Sequence, residues 1–159
     1  MDVKRAGAGL AATGALILAA VVPAGASPGD ILWQGVTLQG VTVKLTVGTA
    51  GDAHAFKIGK TESKCKGGGT VSTGTVTYRD LDESDRDGFR DKRRTMSDRG
   101  GLHFHTTSRI HGGPDDEPHS WSGTYKLHIR AFRGSETVKS CELETRWSVG
   151  RRVGQDPGA

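Results

Sequence analysis

From Val41 to Val47 every second residue is aliphatic, with Thr42, Lys44 and Thr46 between them. An extended chain turns successive side chains to opposite faces, so this stretch predicts a strand with one dry side and one wet side. The pattern recurs along the chain. Ile31 to Gln39 predicts a strand carrying Trp33, Phe56 and Ile58 lead toward Cys65, and Val71 to Tyr78 is a Thr/Val segment that favours extended backbone. Leu102, Phe104 and Ile110 share one parity, opposite His103, His105, Arg109 and His111. Trp121, Tyr125, Leu127 and Ile129 alternate with Lys126, His128 and Arg130. Cys141, Leu143, Trp147 and Val149 alternate with Glu142, Glu144 and Arg146. Glycine-rich breaks at Gly67-Gly68-Gly69, Gly100-Gly101, Gly112-Gly113-Pro114 and Arg133-Gly134-Ser135 separate these runs. Lys60 to Lys66 is too polar to assign, and no stretch carries an amphipathic helical period. The expectation is an all-β chain, an antiparallel β-sandwich or barrel with one solvated face.

The first 26 residues read differently. Lys4 and Arg5 precede the uncharged run Ala6 to Val22, Pro23 breaks it, and Ala24-Gly25-Ala26 supplies small residues for cleavage. This is the layout of a secretory signal peptide cut after Ala26. A membrane anchor is the competing reading, but the run is shorter than the roughly 20 apolar residues a span needs. The expectation is a secreted, extracellular or periplasmic domain over 27–153, with a disordered tail over 154–159 and no membrane span after cleavage. Removing Asp2, Lys4 and Arg5 from 22 basic and 18 acidic residues leaves 20 and 17. That mild excess does not announce specific nucleic-acid binding. In an exported chain, Cys65 and Cys141 are most simply a disulfide. A reactive thiol pair is the alternative, without the CxxC spacing it would want.

Arg79 to Arg99 interrupts the alternation with seven acidic and seven basic residues in 21, and it holds few apolar groups beyond Leu81, Phe89 and Met96. The segment reads as a long, exposed, charged loop. Within it, Glu83, Asp85, Asp87 and Gly88 match positions one, three, five and six of a calcium loop, and Asp91 falls at position nine. Position twelve is Arg94 where a bidentate Glu is wanted, and Lys92-Arg93-Arg94 oppose a cation. A self-neutralising solvated segment is the simpler reading.

The Phe56-x-Ile58 strand running into a cysteine, with the closing Cys141-x5-Trp147-x-Val149-x-Arg151, resembles a group of small secreted bacterial β-sandwich proteins. In that group two cysteines join an early strand to the last one. The likeness spans roughly Val41 to Arg151, and the charged segment is not part of it. The group has no assigned activity, so the resemblance implies fold and export alone.

Two surface sites follow from parity. His103 and His105 must share a face, and pairing of their strand with Ser120–Ile129 would set His128 directly across from His103 or diagonal to it. Three imidazoles could then hold zinc or copper, although a flat sheet face lacks the walls and supporting partners of a metal site. The other reading is a basic stripe of Lys44, His103, His105, Arg109, Lys126, His128 and Arg130 that binds an anionic polymer of the cell surface or matrix. Catalysis has thin support. Glu142 and Glu144 share a face, and Asp115-Asp116-Glu117-Pro118-His119 is a charged turn beside Ser120 and Ser122. No GxSxG, HExxH or GxxxxGK[ST] motif occurs, and no asparagine is present for a Cys-His-Asn site. The expectation is a non-catalytic, cofactor-free binding module, with a calcium or zinc module second and a hydrolase third.

Overall fold

A computed structural model describes residues 29–84, 88–117 and 119–151. The expected signal peptide over 1–26, Asp85, Asp87 and the expected tail over 154–159 lie outside the described residues. Eleven strands run in chain order: β1 (Ile31–Thr37), β2 (Thr42–Val47), β3 (Ala53–Ile58), β4 (Thr61–Cys65), β5 (Thr70–Thr73), β6 (Val76–Arg79), β7 (Asp82–Ser84), β8 (Gly88–Arg99), β9 (Leu102–Pro114), β10 (Ser120–Arg133) and β11 (Glu136–Arg151). All join one antiparallel sheet, in the order β6-β3-β2-β1-β11-β10-β9-β8-β7, with the β4–β5 pair attached to β11 beside β1.

The sheet is curled into a half-barrel. Six strand spacings separate β3 from β8, about 29 Å if the sheet were flat. Yet the rings of Phe56 on β3 and Phe89 on β8 lie 6.3 Å apart, and Arg93 of β8 donates a hydrogen bond to the Thr77 carbonyl of β6 at 2.6 Å. The concave side therefore holds the core. Trp33, Val43, Leu45, Phe56, Tyr78, Phe89, Tyr125, Leu127, Trp147 and Val149 are all buried there.

Arg79–Arg99 departs from expectation. It is not a loop: most of it forms β7 and the twelve-residue β8, and β8 pairs with β9 from Phe89↔Gly112 to Arg99↔Leu102. The turn explains the difference. Gly100 and Gly101 take φ of 60° and 74°, the left-handed pair that a two-residue hairpin turn requires. A second departure concerns Val71–Tyr78, which splits into β5 and β6 with different partners. Lys60–Lys66, left unassigned, contains β4.

The packing at one end depends on two residues without side chains. Gly112, Gly123 and Trp147 sit on three adjacent strands in one row, beside Phe89. The indole of Trp147 lies over both glycines and reaches the Phe89 ring at 5.9 Å and the Phe56 ring at 5.0 Å. A Cβ on Gly112 would stand 2.3 Å from the indole, and one on Gly123 would stand 2.0 Å from the His111 carbonyl oxygen. Glycine at both positions is thus a packing requirement.

Both tyrosines of the chain are buried in the core. Burial pushes the Tyr78 phenol up to about 12, with nearby Asp91 adding to the shift and Ser108 and Arg93 opposing it. Burial pushes Tyr125 further up, reinforced by Tyr78 and opposed by Ser108. A phenol raised on folding contributes stability that is complete below its unfolded value near 10 and is lost as pH rises toward 12. Alkaline titration followed by phenolate absorbance should therefore show both tyrosines ionising together with unfolding, well above pH 10. A tyrosine titrating at its ordinary value in folded protein would contradict this burial.

Candidate functional site

The convex face opposite the core carries the charge. Residues paired across neighbouring strands point to the same side, so the ladders arrange this face in rows. One row is Lys92, Arg109, Lys126 and Glu144, from β8 to β11. The next toward the β8–β9 turn is Arg94, Thr107, His128 and Glu142, and after it come Met96, His105, Arg130 and Ser140. On the other side lie Arg90, His111 and Thr124. Rows repeat about 7 Å apart along a strand and neighbouring strands stand about 4.8 Å apart, giving a lattice of cations. A shallow trough of about 750 Å³ runs over it, touching Arg94, His105, Arg109, Lys126, His128 and Arg130.

Six of the seven sequence-derived positions are brought together: His103, His105, Arg109, Lys126, His128 and Arg130 share this face on β9 and β10. Lys44 is not among them. It lies on β2 between Gln34 and Lys57, with β1 and β11 separating its strand from β10. Arg90, Lys92 and Arg94 are the residues that sequence reasoning missed, because their segment read as a loop. The Gly100-Gly101 pair was the one available signal, since Asp91 and Arg93 stand at the same parity as Phe89 and break the alternation.

The lattice is bounded by acids. Lys126 pairs with Glu144 at 2.9 Å, and His128 lies 3.7 Å from Glu142 and 3.2 Å from the Ser140 hydroxyl. The Arg130 Nε approaches His128 at 3.5 Å. At the far end His103 pairs with Asp98 at 2.6 Å, and Asp82 of β7 stands beside Arg90. The His105 ring packs on Phe132 at 4.8 Å. Between these borders Lys92, Arg109 and Lys126 occupy adjacent strands with no acid interposed. The Lys92 ammonium is held below its ordinary range, by partial loss of hydration first and then by Arg94 and Arg109. Like charges directly opposed across strands oppose folding, so this row is not there for stability.

The three-histidine registers expected from parity are not formed. His128 lies opposite Thr107, while His105 lies opposite Arg130 and His103 opposite Phe132, so the three imidazoles are spread along the strands in neither expected register. Of the calcium candidates, Glu83 stands on β7 across from Phe89 and Asp91 on β8 across from Ile110. Asp85 and Asp87 lie outside the described residues. Among the described residues no group of three or more His, Cys, Asp or Glu side chains could hold a metal ion. At the β9–β10 turn Ser120 donates to Asp115 at 2.9 Å, and Ser122 donates to the other oxygen of the same carboxylate. Those hydroxyls are engaged in turn structure, without an imidazole between serine and acid.

Cys65 and Cys141 are disulfide-bonded across the β4–β11 ladder, with Cα atoms 3.8 Å apart. No helix among the described residues is long and apolar enough to cross a membrane. The chain matches no protein family, no curated protein and no solved structure. What the geometry defines is a class: a disulfide-linked antiparallel half-barrel with a cationic convex face.

Proposed function

We propose that the protein is an exported, non-catalytic binding module that holds an anionic polysaccharide of the cell surface or matrix on its convex face. One observation carries the reading: three cations, Lys92, Arg109 and Lys126, stand side by side in one row with Arg90, Arg94 and Arg130 in the rows around them. Lys126 already pairs with Glu144, and the repulsion between Lys92 and Arg109 is relieved when a polyanion supplies counter-charge. An extended polymer suits a trough that is long and shallow. The apparent signal peptide ending at Ala26 supports export, as does the disulfide, which persists in oxidising compartments. The resemblance to small secreted bacterial β-sandwich proteins supports the same localisation.

Binding of a sulfated or uronate polysaccharide should weaken as salt rises, because exposed charges are screened over about 10 Å at 0.1 M. It should tighten as pH falls from about 7.5 to 5.5, since imidazole gains its proton in that interval. Replacing Arg109 and Lys126 by alanine should lower affinity at least tenfold, about 1.4 kcal/mol. Affinity unchanged in that variant would remove this face from the function. Zinc binding would show the opposite trend with pH, because protons compete with metal for imidazole. Export is tested separately: the N-terminal sequence of protein recovered from culture medium or periplasm should begin at Ser27.

A further inference from the structure

The concave side is filled with aromatic rings at one end and open at the other. The open part is a cleft of about 440 Å³ between the Val71–Val76 segment and the inner faces of β8, β9 and β10. That volume lies in the range of small-molecule sites. Phe104, Leu127 and Ile129 give it an apolar floor, whereas Arg93 and Arg99 supply charge from the inward positions of β8. No carboxylate lines it.

The inner end of the cleft is polar. Ser108 forms part of the lining there, while the phenols of Tyr78 and Tyr125 are buried in the core and do not line the cleft. Neither phenol makes a hydrogen bond of proper geometry, although both are buried. A buried hydroxyl without a partner costs about 1–3 kcal/mol. Both phenols are protonated at neutral pH, so each can donate. Arg93 gives one N–H to the Thr77 carbonyl at 2.6 Å, and a guanidinium has five donors in all. Arg93 and Arg99 line the cleft with no carboxylate among them, so the head group that suits this end is an anionic acceptor. Asp91 acts on Tyr78 without lining the cleft.

We infer that the concave cleft binds a single-chain amphiphile bearing a carboxylate, its head against Arg93 and the Ser108 hydroxyl and its hydrocarbon chain along Leu127, Ile129 and Phe104. The carboxylate takes a charge-assisted contact from Arg93. This site is separate from the convex polymer face and does not depend on it.

Calorimetry on the disulfide-bonded protein tests the assignment with decanoate below its micellar concentration, alongside decanol and decyltrimethylammonium. Decanoate should bind saturably at one per chain, and the other two at least tenfold more weakly. Arg93→Met should weaken decanoate at least tenfold, while Lys126→Ala on the convex face should leave it unchanged. Near-ultraviolet circular dichroism reports whether R93M is folded, and the headgroup series in the unmodified protein carries the test if it is not. No saturable decanoate binding below millimolar concentration would overturn the proposal. Equal affinity for decanol would do the same, as would a folded R93M that binds decanoate as before.

Discussion

Trp147→Ala is expected to destabilise the domain by about 3–5 kcal/mol, a large share of the 5–15 kcal/mol that holds a typical domain folded. The indole touches the Phe56 and Phe89 rings and covers Gly112 and Gly123. Its removal opens a cavity that the surrounding sheet cannot close, since the two glycines offer no side chains to move inward. Trp147→Phe should be markedly milder. It keeps an aromatic surface in the stack, and the indole N–H it deletes is buried without a hydrogen-bond partner in the protein. Urea denaturation of the two variants measures the difference. A Trp147→Ala variant with an unshifted midpoint would show that the aromatic end is not the centre of the core.

Removing the disulfide is the second change expected to have a large effect. The bond links residues 76 positions apart, for which the chain-entropy view gives roughly 4.5 kcal/mol; losses of about 2–5 kcal/mol are usual in small exported domains. The local consequence is distinctive. The β4–β5 pair joins the rest of the sheet through only two ladder positions on β11, Cys141↔Cys65 and Glu142↔Lys64, helped by the Lys66 amide bonding to the Ser140 carbonyl. The double replacement Cys65→Ser with Cys141→Ser should therefore lower the urea midpoint and also raise amide exchange selectively in Thr61–Cys65 and Thr70–Thr73. A midpoint equal to that of the bridged protein, with β4 and β5 still protected, would show that the ladder alone secures them.

Alternation made most of this fold legible because the convex side is wet and the concave side dry. Where those conditions held, as in β2, β9, β10 and β11, parity assigned the buried and exposed residues correctly. It failed where a strand lacks a dry face. The inward positions of β8 beyond Phe89 are Asp91, Arg93, Thr95, Ser97 and Arg99, since that side looks into an open cleft instead of packed core. No hydrophobic period survives there, and only the Gly100-Gly101 turn signals a hairpin. The convex site was consequently visible on β9 and β10 but not on β8. Lys44 was placed in it because parity specifies a face and says nothing of distance across a sheet. The position of β4 beside β1 on one edge of β11 depends on a long-range pairing with no local signature.

The placement of β11 also constrains the order of events in folding. It is the last strand in the described chain, yet it sits in the middle of the sheet, paired along one edge with β10 and along the other with β1 and β4. Until it arrives, the β1–β3 meander has no continuous strand ladder to the β8–β10 meander, and Phe56 cannot meet Trp147. Loop closure over so many residues must be met before the central contacts repay it, which makes folding slow and late. The chain cannot acquire its core progressively from the N-terminal end. Any machine that still holds the final strand, by the ribosome or in a narrow pore, keeps the two halves apart and the polypeptide threadable.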